Sequence, residues 1–124
     1  MSSMEKIKEN REFRRAYRIG KSLVCPYAVV YYMKNRSGKI RLGITAGKKI
    51  GNAVSRNRAK RVITAAFREC LPEIAPGYDF IIVARTRILT VKSTAVAFAV
   101  LKLLRSAGLC SQNLKEAENE TITD

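Results

Sequence analysis

The chain contains no histidine and no tryptophan. Without imidazole, His-based general acid–base catalysis, Ser-His and Cys-His nucleophile pairs and Cys2His2 zinc sites are excluded. Cysteine is scarce, and Cys25, Cys70 and Cys110 form no C-x-x-C pair. Three scattered thiols indicate a reducing compartment rather than a disulfide framework. Long hydrophobic runs are also missing. The most apolar stretch, residues 91–104, is interrupted by Lys92 and Lys102 and is too short to span a bilayer. The N-terminal sequence MSSMEKIKENREFRR has no apolar segment of the kind a secretory signal needs. These absences predict a cytoplasmic protein with no membrane partner.

The widest gap is in negative charge. No Asp or Glu occurs between Glu12 and Glu69, an interval holding fifteen of the 24 basic residues. Over the whole chain, 24 Lys and Arg against 10 Asp and Glu give a formal charge of +14. That imbalance is the electrostatic footprint of a polyanion binder. The acids collect at the ends, and Glu116, Glu118, Glu120 and Asp124 lie in a C-terminal segment of low hydrophobicity. The expected division is a single folded unit over residues 1–110 and an acidic, disordered tail over residues 111–124. No internal repeat or Gly/Ser-rich linker marks a second domain.

Hydrophobic periodicity predicts the elements. Asn10 is the expected N-cap of a first helix that stops at Gly20, with Phe13, Ala16 and Tyr17 sharing one face. Residues 23–33 are rich in Val and Tyr and read as a strand, with Pro26 near an edge or bulge. After a turn at residues 35–38, residues 39–46 read as its partner strand. From about residue 54 to residue 71 the period becomes helical. Ala59, Val62, Ile63, Ala66, Phe67 and Cys70 form an apolar stripe, and Asn57, Lys60, Arg61, Thr64 and Arg68 gather opposite. DFIIVAR, residues 79–85, reads as a fully buried strand, and Thr90 as the cap of a last helix reaching Gly108. The order is α-β-β-(β)-α-β-α, the optional strand lying around residues 48–52. A small α+β two-layer sandwich results, with a β-α-β crossover and at least one parallel strand pair.

The most informative run is KKIGNAVSRNRAKR, residues 48–61. A Gly-containing basic loop leads there into a helix whose outer face is nearly all guanidinium and ammonium. Arg forks grip phosphates bidentately, Lys supplies a point charge, and the helix N-terminus adds its positive dipole. Asn57 can donate and accept at once. A merely solvated face would intersperse both signs. This one does not.

With that run, KENREFRRAYRIG, the Tyr-rich strand and DFIIVAR, the sequence resembles the protein subunit of bacterial ribonuclease P over nearly all of the expected folded region. The resemblance implies a ribonucleoprotein endonuclease that removes the 5′ leader of precursor tRNA. Catalysis would reside in the RNA subunit, which with substrate phosphates would hold Mg2+, so that the protein alone is inactive. The implied partners are the catalytic RNA and precursor tRNA, with no DNA and no small-molecule substrate. It also implies a left-handed crossover, against the usual rule. Lys48, Lys49, Arg56, Asn57, Arg58, Lys60 and Arg61 match the basic signature. Phe13, Tyr17 and Tyr31 match the aromatics of the leader cleft, with Arg85 a weaker member. Aromatic faces beside cations suit single-stranded RNA, because bases stack without sequence demand. Spacing alone also allows Phe13 and Tyr17 to be packing residues. No catalytic or metal-binding residue is expected in the protein. The competing reading is a non-enzymatic RNA-binding protein of ribosomal or RNA-chaperone type, which only the signature and the placed aromatics separate.

Overall fold

The computed structural model describes residues 4–111. Its elements run β1 (Met4–Lys6), α1 (Asn10–Ile19), β2 (Lys21–Val24), β3 (Ala28–Lys34), β4 (Ile40–Thr45), α2 (Ala53–Cys70), β5 (Tyr78–Ala84) and α3 (Ser93–Ser106). The expected tail acids from Glu116 onward lie outside the described residues.

The strands form one sheet in the order β1-β4-β5-β3-β2. β4 and β5 are parallel neighbours, so α2 is the β-α-β crossover. β1 also pairs parallel to β4, and β3 runs antiparallel to both β5 and β2. The expected pairing of residues 39–46 with the Tyr-rich strand does not form. β5 lies between them, because an apolar run such as Phe80-Ile81-Ile82 is buried on both faces and takes the centre of the sheet. Asn35 holds the intervening turn instead. Its N–H donates to the Gly77 carbonyl at 2.9 Å and its side-chain amide to the Lys39 carbonyl at 2.9 Å.

Other local differences have equally local causes. The strand expected at residues 23–33 is two strands, broken where Pro26 can donate no ladder hydrogen bond and closed by Cys25 N–H to the Ala28 carbonyl at 3.0 Å. The optional strand near residues 48–52 is a 3-10 turn, Lys48–Ile50. The N-cap of α1 is Glu9 rather than Asn10. Thr90 does not cap α3; its hydroxyl donates to the Arg87 carbonyl at 2.8 Å and closes the 3-10 segment Thr86–Thr90, while Lys92 precedes the helix.

Strand alternation sorts the core into two faces. Val30, Phe80, Ile82 and Ala84 meet the α2 stripe and the Val96, Val100, Leu104 stripe of α3 in the main core. The Phe67 and Phe80 rings sit 5.5 Å apart there. These two helices on one sheet face form the expected sandwich. On the opposite face Ile81 joins Ile7 and Ala16 in a smaller cluster, with Phe13, Tyr31, Met33 and Val83 packed around it. α1 therefore crosses the face that α2 and α3 leave open. All three cysteines are buried and free. Burial pushes the Cys70 thiol up to about 12.

Candidate nucleic-acid interface

The loop before α2 is built to start the helix cleanly. Gly51 has φ of 135°, a left-handed conformation that disfavours any side chain. Asn52 then caps α2, its side-chain oxygen accepting from Ser55 N–H at 3.0 Å. The apolar stripe turns inward, which leaves Asn57, Arg58, Lys60 and Arg61 exposed. Asn57, Lys60 and Arg61 line an open groove of about 570 Å3 with Thr64, Arg68 and Lys6 from β1. Lys48 and Lys49 are exposed on the preceding turn. None of the six cations of the 48–61 run has an ion-pair partner among the described residues. Arg56 differs from the rest: it is half-buried, and its shielded Nε has no acceptor.

A second concavity, about 430 Å3, lies between α1 and the C-terminal end of β4. Phe13, Tyr17, Arg14 and Asn10 line it from α1, Thr45 from β4, and Lys8 and Lys60 from either side. Tyr17 is 41% exposed, and its hydroxyl shares a hydrogen bond with Thr45 Oγ1 at 3.0 Å. Tyr31 meets Tyr17 edge-on, with ring centroids 5.0 Å apart. Phe13 lies deeper. Gly43 makes room for it, since a Cβ at that position would come within 2.8 Å of the Phe13 ring and 2.6 Å of Ile81. Phe13 thus combines packing with lining, while Tyr17 presents its ring to the opening. Lys60 borders both concavities, so the aromatic cleft and the cationic groove adjoin.

Acids on α1 and β5 are already engaged. Arg41 on β4 donates to Glu12 on α1 and, at 3.3 Å, to Asp79 on β5. Asp79 also accepts from the Asn35 amide at 2.8 Å. Burial alone would lower the Arg41 pKa, but the hydrogen bond to Glu12 and the Asp79 charge more than offset it and raise it above the usual value. This network ties α1 to two strands and keeps its carboxylates from neutralising the basic surface.

Of the sequence-predicted residues, Phe13, Tyr17, Asn57, Lys60 and Arg61 line the two concavities, and Tyr31 touches Tyr17. Arg85 does not line the cleft; its Nη1 donates to the Cys25 carbonyl at 3.1 Å and steadies the β2–β3 turn. Lys6 and Lys8 carry no sequence signal beyond their charge, and the fold alone brings them to the two concavities. Asn52 had a readable signal, an Asn immediately before a helical period. A further concavity, about 610 Å3, lies elsewhere, between the β2–β3 turn and α3, and is largely apolar. Neither basic concavity suits a divalent cation. Both are lined by Lys and Arg with no carboxylate, and the described residues hold no cluster of three or more His, Cys, Asp or Glu side chains able to bind a metal. No helix among them is long and apolar enough to cross a membrane.

Unpaired cations beside a cleft with an exposed tyrosine have the chemistry of a nucleic-acid-binding protein, since cations suit phosphates and aromatic faces suit unstacked bases. A family model for ribonuclease P matches residues 1–108. The ribonuclease P protein component of Oceanobacillus iheyensis is 37% identical over 122 residues, covering 98% of each chain. That of Clostridioides difficile is 44% identical over 80 residues, 64% of this chain and 70% of the relative. Among solved structures, the Staphylococcus aureus RNase P protein superposes with a TM-score of 0.73 at 33% identity, covering 84% of this chain and 95% of that one. The Thermotoga maritima protein gives 0.72 at 33% identity over 81% and 94%. The chain belongs to the ribonuclease P protein family, which decides against the ribosomal or chaperone reading.

Proposed function

We propose that this accessory subunit of ribonuclease P divides its RNA contacts between two adjoining surfaces. The Tyr17 cleft receives the single-stranded 5′ leader of precursor tRNA, its aromatic rings stacking on bases and its cations meeting the backbone. The outer face of α2, with Lys48 and Lys49, grips phosphates of the folded catalytic RNA, as Arg forks do irrespective of sequence. The observation that carries this reading is the position of Lys60, on the border of both concavities. RNA held on α2 would pass directly into the cleft. Chemistry then belongs to the RNA, which with substrate phosphates also holds the Mg2+ that this chain's own donors do not suit. The site of action is the cytoplasm, where precursor tRNA is processed.

Reconstitution tests this. The protein freed of RNA should leave precursor tRNA intact in Mg2+, and addition of the catalytic RNA should restore cleavage at the 5′ end. Cleavage by the RNA-free protein would place catalysis in the polypeptide and overturn the assignment.

A further inference from the structure

A third groove, of about 390 Å3, lies beside the C-terminal end of α1. Its lining includes Ile19, Lys21, Tyr32, Lys34, Tyr78 and Leu109. The strand register explains the convergence. Lys21 stands opposite Tyr32 across β2–β3, and Lys34 stands opposite Tyr78 across β3–β5. Directly opposed residues share a sheet face, so two lysines and two tyrosines point the same way. Gly20 holds α1 tight against this corner, because a Cβ there would meet the Ala16 carbonyl oxygen at 2.5 Å and the Tyr32 carbonyl oxygen at 3.2 Å.

The side chains are available. The Tyr32 and Tyr78 rings are 6.4 Å apart and only partly buried. Neither hydroxyl has a hydrogen-bond partner among the described residues. Lys21 and Lys34 are exposed, without an ion-pair partner, and no carboxylate lines the groove. Aromatic faces and free phenol donors between uncompensated ammonium groups match an unstacked nucleotide and its phosphate. The groove opens on the main-core face of the sheet, opposite the face that carries Tyr31 and the Tyr17 cleft, and the C-terminal end of α1 joins the two around the sheet edge. From Tyr17 to Ile19 is two residues, about 3 Å along the helix axis, and Arg14 and Arg18 carry exposed charge along α1.

We propose that the Lys21–Tyr32–Lys34–Tyr78 groove is a second single-strand RNA site, taking leader nucleotides further from the cleavage point than those in the Tyr17 cleft. The inference rests on the reading of that cleft as the leader site. A strand leaving it would follow α1 past its C-terminus and reach a new stacking surface on the far side of the sheet edge. The subunit would then sense leader length.

The test uses the reconstituted holoenzyme with precursor tRNAs bearing leaders of about 4 and about 16 nucleotides, lengths that bracket common single-strand site sizes, with mature tRNA alongside. The wild type should bind the long-leader precursor roughly tenfold more tightly than the short one, the scale of one stacked base. Lys21→Glu with Lys34→Glu, both at exposed positions, should abolish that advantage and leave short-leader affinity unchanged. Tyr78→Leu, its folding checked by melting, should act the same way. Equal weakening for both leaders, no weakening, or no length advantage in the wild type would overturn the second site. Failure of the wild type to prefer the short-leader precursor over mature tRNA would instead overturn the cleft reading beneath it.

Discussion

Arg41 and Arg61 are the same residue type on neighbouring parts of the molecule, and they do opposite things. Arg41 lies between Glu12 and Asp79, partly buried, with its donors committed. Arg61 stands on the outer face of α2 with no acid to meet. The first gains its interaction within the fold and keeps two carboxylates from the basic surface. The second leaves its guanidinium available to a phosphate, as the proposed RNA contact requires. Charge count alone cannot separate a structural arginine from a binding one. Partnership and burial do.

The comparison can be broken first at Arg41. Arg41→Ala leaves Asp79, whose side chain is 13% exposed, without its counter-ion. Loss of one partner of a buried pair costs about 3–5 kcal/mol, and partial solvent access puts the expected loss at the lower end. Denaturant unfolding should show that loss, with affinity for the catalytic RNA retained in the folded fraction. On α2 the pattern reverses. Arg58→Ala combined with Arg61→Ala should change stability by less than about 0.5 kcal/mol, as exposed substitutions do. It should weaken RNA binding by roughly 1.5–3 kcal/mol for each hydrogen bond between guanidinium and phosphate that it removes. The slope of log K against log salt should become shallower, since fewer counterions are released.

A third substitution sharpens the role of the cleft floor. Gly43→Ala drives a methyl group into the Phe13 ring and Ile81, an overpacking that costs typically about 1–3 kcal/mol. Melting should drop, and precursor binding should fall with it as Phe13 and α1 are displaced. The last effect, absent at neutral pH, concerns Cys70. Burial raises its folded pKa to about 12 from an ordinary value of 9.0, so the unfolded chain loses the proton first. The stability this thiol contributes is complete below pH 9 and declines as pH rises from about 9 towards 12, by at most about 1.4 kcal/mol per pH unit. A Cys70→Ala protein followed by denaturant titration should lack that component of the alkaline decline.

The sequence made some of this legible because local rules and tertiary outcome agree. α2 begins within two residues of its expected start, since Gly51, Asn52 and a clean helical period all mark the same place. Its inner stripe and outer charges are where the periodicity puts them. Sheet order was not legible, because strands adjacent in the chain usually pair. The insertion of β5 between β3 and β4 follows from burial on both faces, a property of the assembled sheet. The stripe of Phe13, Ala16 and Tyr17 predicts a packed face on α1 but not which side of the sheet receives it. A three-residue strand such as β1 leaves no period to read, and so Lys6 entered the basic groove unannounced. Arg85 shows the reverse: a cation at a strand end, adjacent to the right elements, lines neither basic concavity and donates to the backbone of a turn.

The division between leader cleft and RNA-gripping helix is tested most directly by Tyr17→Ala in the reconstituted holoenzyme, with precursor and mature tRNA affinities measured side by side. Circular dichroism and melting must accompany the binding data, because Tyr17 also touches Tyr31 and Thr45. In the folded variant, precursor binding should weaken by about 1–3 kcal/mol, the value of one base stack. Affinity for mature tRNA and for the catalytic RNA should stay at the wild-type level. Equal losses for precursor and mature tRNA would contradict the account.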